Sequence, residues 1–148
     1  MTINVRTILV PIDFSSHADA VLEWAAHLAE EHGAKLVLLH AYHLPVEFTA
    51  LGSMPITPQL FSDAAEQARA QLERVAAPLR TGGVEVETVA REGYPPTVIE
   101  EEAATRRVDL VAMGTHGRTG LRHLLLGSTA ERVVQHVTCP VLVVRRND

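Results

Sequence analysis

Gly114, Gly117, Gly127 and Ser128 are the residues whose types and spacing suggest chemistry. They bracket a loop that begins where the apolar run Leu110 to Met113 stops. It ends where a helix-like segment, Thr129 to His136, starts. Glycine lets a backbone approach a ligand closely and adopt positive φ. A helix N-terminus offers unpaired N–H groups and the positive end of a dipole to an anion. The loop therefore reads as a phosphate cradle. Amides near Gly114 and Gly117 approach from one side, and those of Gly127, Ser128 and Thr129 from the other. A purely structural turn would explain the same glycines without any ligand, so both readings stay open on pattern alone.

Two familiar phosphate motifs are excluded. No Gly-x4-Gly-Lys-Ser/Thr occurs, and no lysine lies in the loop. Gly114, Gly117 and Gly120 have the wrong spacing for a dinucleotide fingerprint and follow the fourth strand instead of the first. Ser128 stands three residues before Glu131, the spacing of a capping box that satisfies helix amides and needs no ligand. Asp13 follows the first strand directly. It is a turn aspartate or helix cap, or it makes a ribose or adenine-edge contact, with a metal ion on phosphates as second choice. Arg118 is the loop cation best placed to neutralise phosphate, because a guanidinium matches phosphate geometry. The eight histidines and single cysteine show no metal-ligand spacing, so no protein-built metal site is expected. Cys139 reads as a small buried apolar group.

The elements that must position these residues alternate. Thr7 to Ile12 reads as a buried strand with Pro11 at its tolerant end. Ser15 or Ser16 is expected to cap a helix through Glu31, stopped by Gly33. Lys35 to Tyr42 is a second strand. His43 to Thr57 shows no period and reads as a mobile loop. Thr57-Pro58 opens a helix to about Arg80, with Pro78 loosening its last turn. Val84 to Ala90 alternates, which predicts an edge strand with one wetter face. A helix from Pro95 to about Arg107, the strand Leu110 to Met113, the helix Thr129 to His136 and the strand Val141 to Val144 complete the chain. This β-α order predicts an open parallel sheet covered on both faces. Ligands of such sheets sit beyond the strand C-termini where strand order reverses, here near Asp13 and Gly114.

Composition bounds the rest. A chain of 148 residues suits one domain spanning 1–148. The net charge of −5 argues against general affinity for nucleic acid. One cysteine, no membrane-length apolar run and no secretion-signal layout predict a cytoplasmic protein with no membrane partner.

Gly114-x2-Gly117-x9-Gly127-Ser128 resembles the signature of the nucleotide-binding universal stress proteins. Ile8 to Ser15, Asp109 to Gly114 and Cys139 to Val144 are similar to that family's first, fourth and last strand regions. The resemblance spans essentially the whole chain. It implies a Rossmann-like five-stranded parallel sheet in the order 3-2-1-4-5, with ATP in the cleft between strands one and four and Mg or Mn on its phosphates. It also implies roles: Asp13 at the nucleoside end, Pro11 and Ile12 on the same wall, and Ala41 meeting adenine through its backbone. Met113 and Gly114 would lie beside the nucleoside, and Gly117, Arg118, Gly127, Ser128 and Thr129 around the phosphates. Ala41 departs from the larger aliphatic residue common there. The family tends to form homodimers through its last strand, here Val141 to Val144. Two functions follow: a regulatory ATP-binding module sensing energy or stress, with no catalytic residues, or a slow ATPase or phosphoryl or nucleotidyl transferase using the same site. Catalysis would require a water-orienting group and a charge stabiliser. Only Asp13, His116 and Arg118 could serve.

Overall fold

Ile8, Leu9 and Val10 have no exposed surface, because a strand in the middle of a parallel sheet is covered on both faces. In the computed structural model, which describes residues 2–44, 48–49, 52–53, 57–116 and 126–146, they form the centre of β1 (Thr7–Pro11). The chain continues through α1 (Ala18–His32), β2 (Lys35–Tyr42), β3 (Phe48–Thr49), β4 (Gly52–Ser53) and α2 (Pro58–Thr81). It ends with β5 (Val86–Glu92), α3 (Pro95–Arg106), β6 (Leu110–Gly114), α4 (Ser128–His136) and β7 (Val141–Val144). The main sheet runs β5-β2-β1-β6-β7, every pair parallel. Counting its five strands alone, this is the order 3-2-1-4-5.

Strand alternation divides the core. Ile8, Val10, Leu36 and Leu38 face α1 and α2, where they meet Val21, Ala25, Leu72 and Ala76. Leu9, Val37, Leu39 and Val111 face the other way, toward Val98, Ile99 and Val133 of α3 and α4. Each such aliphatic side chain contributes roughly 1.5–3 kcal/mol by leaving water. The two cores hold the C-terminal ends of β1, β2 and β6 at one rim of the sheet.

Several local expectations change. Helix α1 begins at Ala18, with His17 at the cap position and no side-chain cap, so neither Ser15 nor Ser16 caps it. Ser15 instead gives its N–H to Asp13 Oδ1 at 2.9 Å and its carbonyl to the Ala18 N–H. Gly33 does close α1 in the left-handed region, at φ 63°. Thr57 caps α2 by accepting the Leu60 N–H at 3.2 Å, and the helix continues through Pro78 to Thr81. Within the segment 43–57, which lacks sequence periodicity, β3 and β4 pair antiparallel, Phe48 against Ser53 and Thr49 against Gly52. Two-residue strands are too short to leave a period.

Strand β5 lies two residues later than its alternation suggests and does form a sheet edge. Ion pairs surround it: Glu87 with Lys35 at 3.1 Å and Arg106 at 2.8 Å, and Arg91 with Glu101 at 2.6 Å and Glu102 at 3.0 Å. The hydrogen bond from Arg106, then that from Lys35, holds the Glu87 carboxyl below the usual carboxylate range. Among the described residues no helix is long and apolar enough to cross a membrane. Cys139 is partly buried against the α3–α4 core, and burial raises its thiol pKa.

Candidate functional site

A cavity of about 930 Å³ opens at the C-terminal rim of β1, β2 and β6, where the strand order reverses. Pro11, Ile12, Asp13, Ala41, Met113, Gly114, Gly127, Ser128 and Thr129 all line it. Gly117 and Arg118 lie outside the described residues. N-terminal portions of all four helices contribute: Ala18 of α1, Leu60 of α2, Pro95 of α3 and Ser128 to Ala130 of α4.

The two described glycines of the loop motif differ in why they are glycine. A Cβ on Gly127 would sit 2.9 Å from the Thr115 carbonyl oxygen and 3.4 Å from His116 Cα. Packing inside the protein therefore already demands a residue without a side chain there. The Gly127 N–H donates to Thr115 O at 2.6 Å, so this amide is committed to the fold and is removed from the expected set of phosphate donors. Thr115 in turn gives its N–H to Val144 O at 3.2 Å, tying the start of α4 to the last strand. At Gly114 a Cβ would meet nothing closer than 3.7 Å. Those atoms, His116 O and a Val21 methyl, are at ordinary van der Waals contact, so packing inside the protein does not itself demand glycine at this cavity-lining position.

Helix α4 starts one residue earlier than its periodicity suggests. Gly127 is its cap position and offers no side chain, so the expected capping box between Ser128 and Glu131 does not form. The Glu131 N–H bonds Gly127 O as the first intrahelical link. The amides of Ser128, Thr129 and Ala130 precede that link and have no intrahelical acceptor. All three residues line the cavity. This wall is built of main-chain donors.

The facing wall is built of side chains. Asp13 adopts the turn role, with Oδ1 fixed by the Ser15 N–H. Phe14 follows at φ 60°, an unusual conformation for a bulky residue that clusters at ligand clamps. Its ring packs 4.5 Å from that of His40. His40 donates from Nδ1 to Ile12 O at 2.7 Å; a carbonyl only accepts, so this bond sets the tautomer. Among the described residues Ser15 Oγ and His17 Nδ1 are buried without a hydrogen-bond partner, and both residues border the cavity.

Sequence reasoning overlooked the contribution of α2. Asp63, Gln67 and Gln71 line the cavity beside Leu60, Ala64 and Ala68. Their four-residue spacing was available in the sequence, as a polar strip beside the apolar stripe. It reads as an ordinary wet helix face, and its residues stay exposed; what the fold adds is that this face borders the cavity. Among the described residues no cluster of three or more His, Cys, Asp or Glu is placed to hold a metal ion.

Comparison with known proteins agrees with this architecture. The model of the universal stress protein family matches residues 4–145. A universal stress protein of Methanocaldococcus jannaschii is 33% identical over 143 residues, covering 95% of this chain and 82% of the relative. Among solved structures, another universal stress protein of that organism superposes with a TM-score of 0.81 at 27% identity, covering 97% of this chain and 98% of its own. A universal stress protein crystallised in complex with cAMP shares the fold at a TM-score of 0.69 and 24% identity, covering 96% and 98%.

Proposed function

Because this chain belongs to the universal stress protein family, we propose that it is an ATP-binding regulatory module, a homodimer whose occupancy reports energy or stress conditions. One observation carries the reading. The amides of Ser128 to Ala130, which have no intrahelical acceptor, and Gly114, where the protein's own packing does not demand glycine, line a single cavity together with the carboxylate of Asp13. Phosphates belong at the amides, since a helix N-terminus favours negative charge. Ribose hydroxyls belong at Asp13, because a carboxylate accepts from hydroxyls and repels phosphate. The base then falls toward Ala41 at the end of β2. Gly117 and Arg118 complete the phosphate end in this reading. Mg or Mn would enter on the phosphates themselves. The cAMP complex of a structural neighbour supports an adenine nucleotide as the ligand class.

Binding is favoured over turnover because the described phosphate wall is made chiefly of amides and hydroxyls, and the imidazole beside them, that of His116, is engaged with Thr115 Oγ1 at 3.0 Å. The rival reading, a slow ATPase or phosphoryl or nucleotidyl transferase, requires Asp13, His116 or Arg118 to orient a nucleophile. Dimerisation is assigned to β7, an apolar edge strand suited to self-pairing. The test is direct. Protein purified under native conditions is analysed for bound nucleotide by mass spectrometry and titrated with ATP by calorimetry, while phosphate release is followed for hours. Stoichiometric ATP without turnover is expected. Turnover that depends on Asp13 or Arg118 would replace the sensor with an enzyme, and a protein that takes up no nucleotide would remove both.

A further inference from the structure

We propose that Gln67, supported by Gln71, reads the edge of the nucleobase and selects adenine over guanine; this rests on the nucleotide reading above. Helix α2 packs against β2 and β5, whereas α4 packs against α3. The α2 face of the cavity thus lies on the side of the sheet away from α4, next to β2, where the reading above puts the base. Leu60, Ala64 and Ala68 give that face an apolar surface against which a planar ring can rest. Gln67 and Gln71 stand on it one turn apart, and neither side chain has a hydrogen-bond partner among the described residues.

A carboxamide carries one donor group and one acceptor. Adenine presents the complementary pair, the N6 amino donor beside the N7 acceptor, which glutamine can meet with two hydrogen bonds. Guanine presents two acceptors on the same edge, O6 and N7, which call for the paired donors of arginine or lysine. The described lining residues include no arginine or lysine. Guanine's other edge, N1–H with the N2 amino group, would need both oxygens of a carboxylate. Asp63 is the carboxylate on this face; it stands at the first turns of α2, one and two turns before the two glutamines, and is drawn toward Gln59 Nε2 at 2.9 Å. The chemistry of α2 therefore matches adenine.

The experiment measures dissociation constants by calorimetry for ATP, GTP and inorganic tripolyphosphate, using the wild type, Gln67→Leu and Gln71→Leu. Both positions are exposed on the helix and leucine is a good helix former, so both variants should fold. Wild type should prefer ATP to GTP by about tenfold or more, the discrimination of one good bidentate contact. Gln67→Leu should weaken ATP by about tenfold and leave GTP and tripolyphosphate unchanged. Gln71→Leu should show a smaller loss in the same direction. Wild type that binds both nucleotides equally, or Gln67→Leu that keeps the ATP preference, overturns this assignment and leaves the nucleotide reading standing. Wild type that binds none of the three overturns both.

Discussion

The two walls of the cavity are made from different materials. On the β6–α4 side the groups offered are chiefly main-chain amides, with the hydroxyls of Ser128 and Thr129 and the imidazole of His116 beside them. On the β1–α1 and β2 side the groups are the Asp13 carboxylate, pinned by the Ser15 N–H, the His40 imidazole, pinned by Ile12 O, and the Ser15 hydroxyl and His17 Nδ1, which have no partner among the described residues. An amide wall is set by backbone path, so small residues are what the sequence must specify. A side-chain wall needs particular residue types, and its accuracy comes from what pins them.

The largest effect is expected from breaking the amide wall. Gly127→Val would force the backbone of Thr115 and His116 aside. We expect nucleotide binding to be lost and the fold weakened by about 1–3 kcal/mol, as for other overpacked sites, read by calorimetry and urea unfolding. Gly114→Ala is its counterpart: the nearest protein atoms lie 3.7 Å from the added carbon, so unfolding should be unchanged while nucleotide affinity falls. If Gly114→Ala loses stability as Gly127→Val does, the distinction between the two glycines fails.

The next effect belongs to the side-chain wall. Asp13→Ala should weaken ATP about tenfold, the scale of a lost hydrogen bond to a charged group, and leave tripolyphosphate binding unaltered. Equal losses for both ligands would move Asp13 to the phosphate end. A smaller contrast separates true caps from apparent ones. Thr57→Ala should cost about 1 kcal/mol in unfolding free energy, because Thr57 bonds the Leu60 N–H. Ser128→Ala should cost less than about 0.5 kcal/mol, since Ser128 caps nothing.

The smallest effect lies away from both walls. Glu87 is held ionised by Arg106 and Lys35, yet its side chain is 41% exposed and solvent screens the pair. Glu87→Gln should lower stability by less than about 1 kcal/mol at neutral pH. A depressed carboxylate contributes fully above its unfolded pKa and loses that contribution as pH falls through its folded one. The gap between wild type and variant should therefore close below the usual carboxylate range, without any change in ligand affinity.

The fold was largely legible because its strongest signals are long. Continuous apolar runs at Thr7 to Ile12 and Lys35 to Tyr42 fit strands covered on both faces, and alternation at Val84 to Ala90 marked an edge. The local errors arose where one residue type serves several geometries. Ser15, Ser16 and Ser128 looked like caps, but a cap depends on where the helix starts, and neighbouring backbone bonds moved those starts. Gly127 looked like a ligand-approach glycine, yet its spacing cannot reveal that Thr115 stands behind it. The α2 wall was invisible for a related reason. Asp63, Gln67 and Gln71 are polar residues at helical spacing, and only the long-range placement of α2 beside β2 distinguishes a lining from a wet surface.

The outer flanks of the sheet also carry a consequence. One flank wears charged side chains locked to their neighbours, and a visiting strand would have to disturb those pairs to dock. The opposite flank ends in Val-Leu-Val-Val and asks for no such sacrifice. Two molecules meeting there by a two-fold rotation would use up both receptive borders and turn both guarded ones outward. The proposed pairing, by this route, would stop at two molecules and would not seed a fibre.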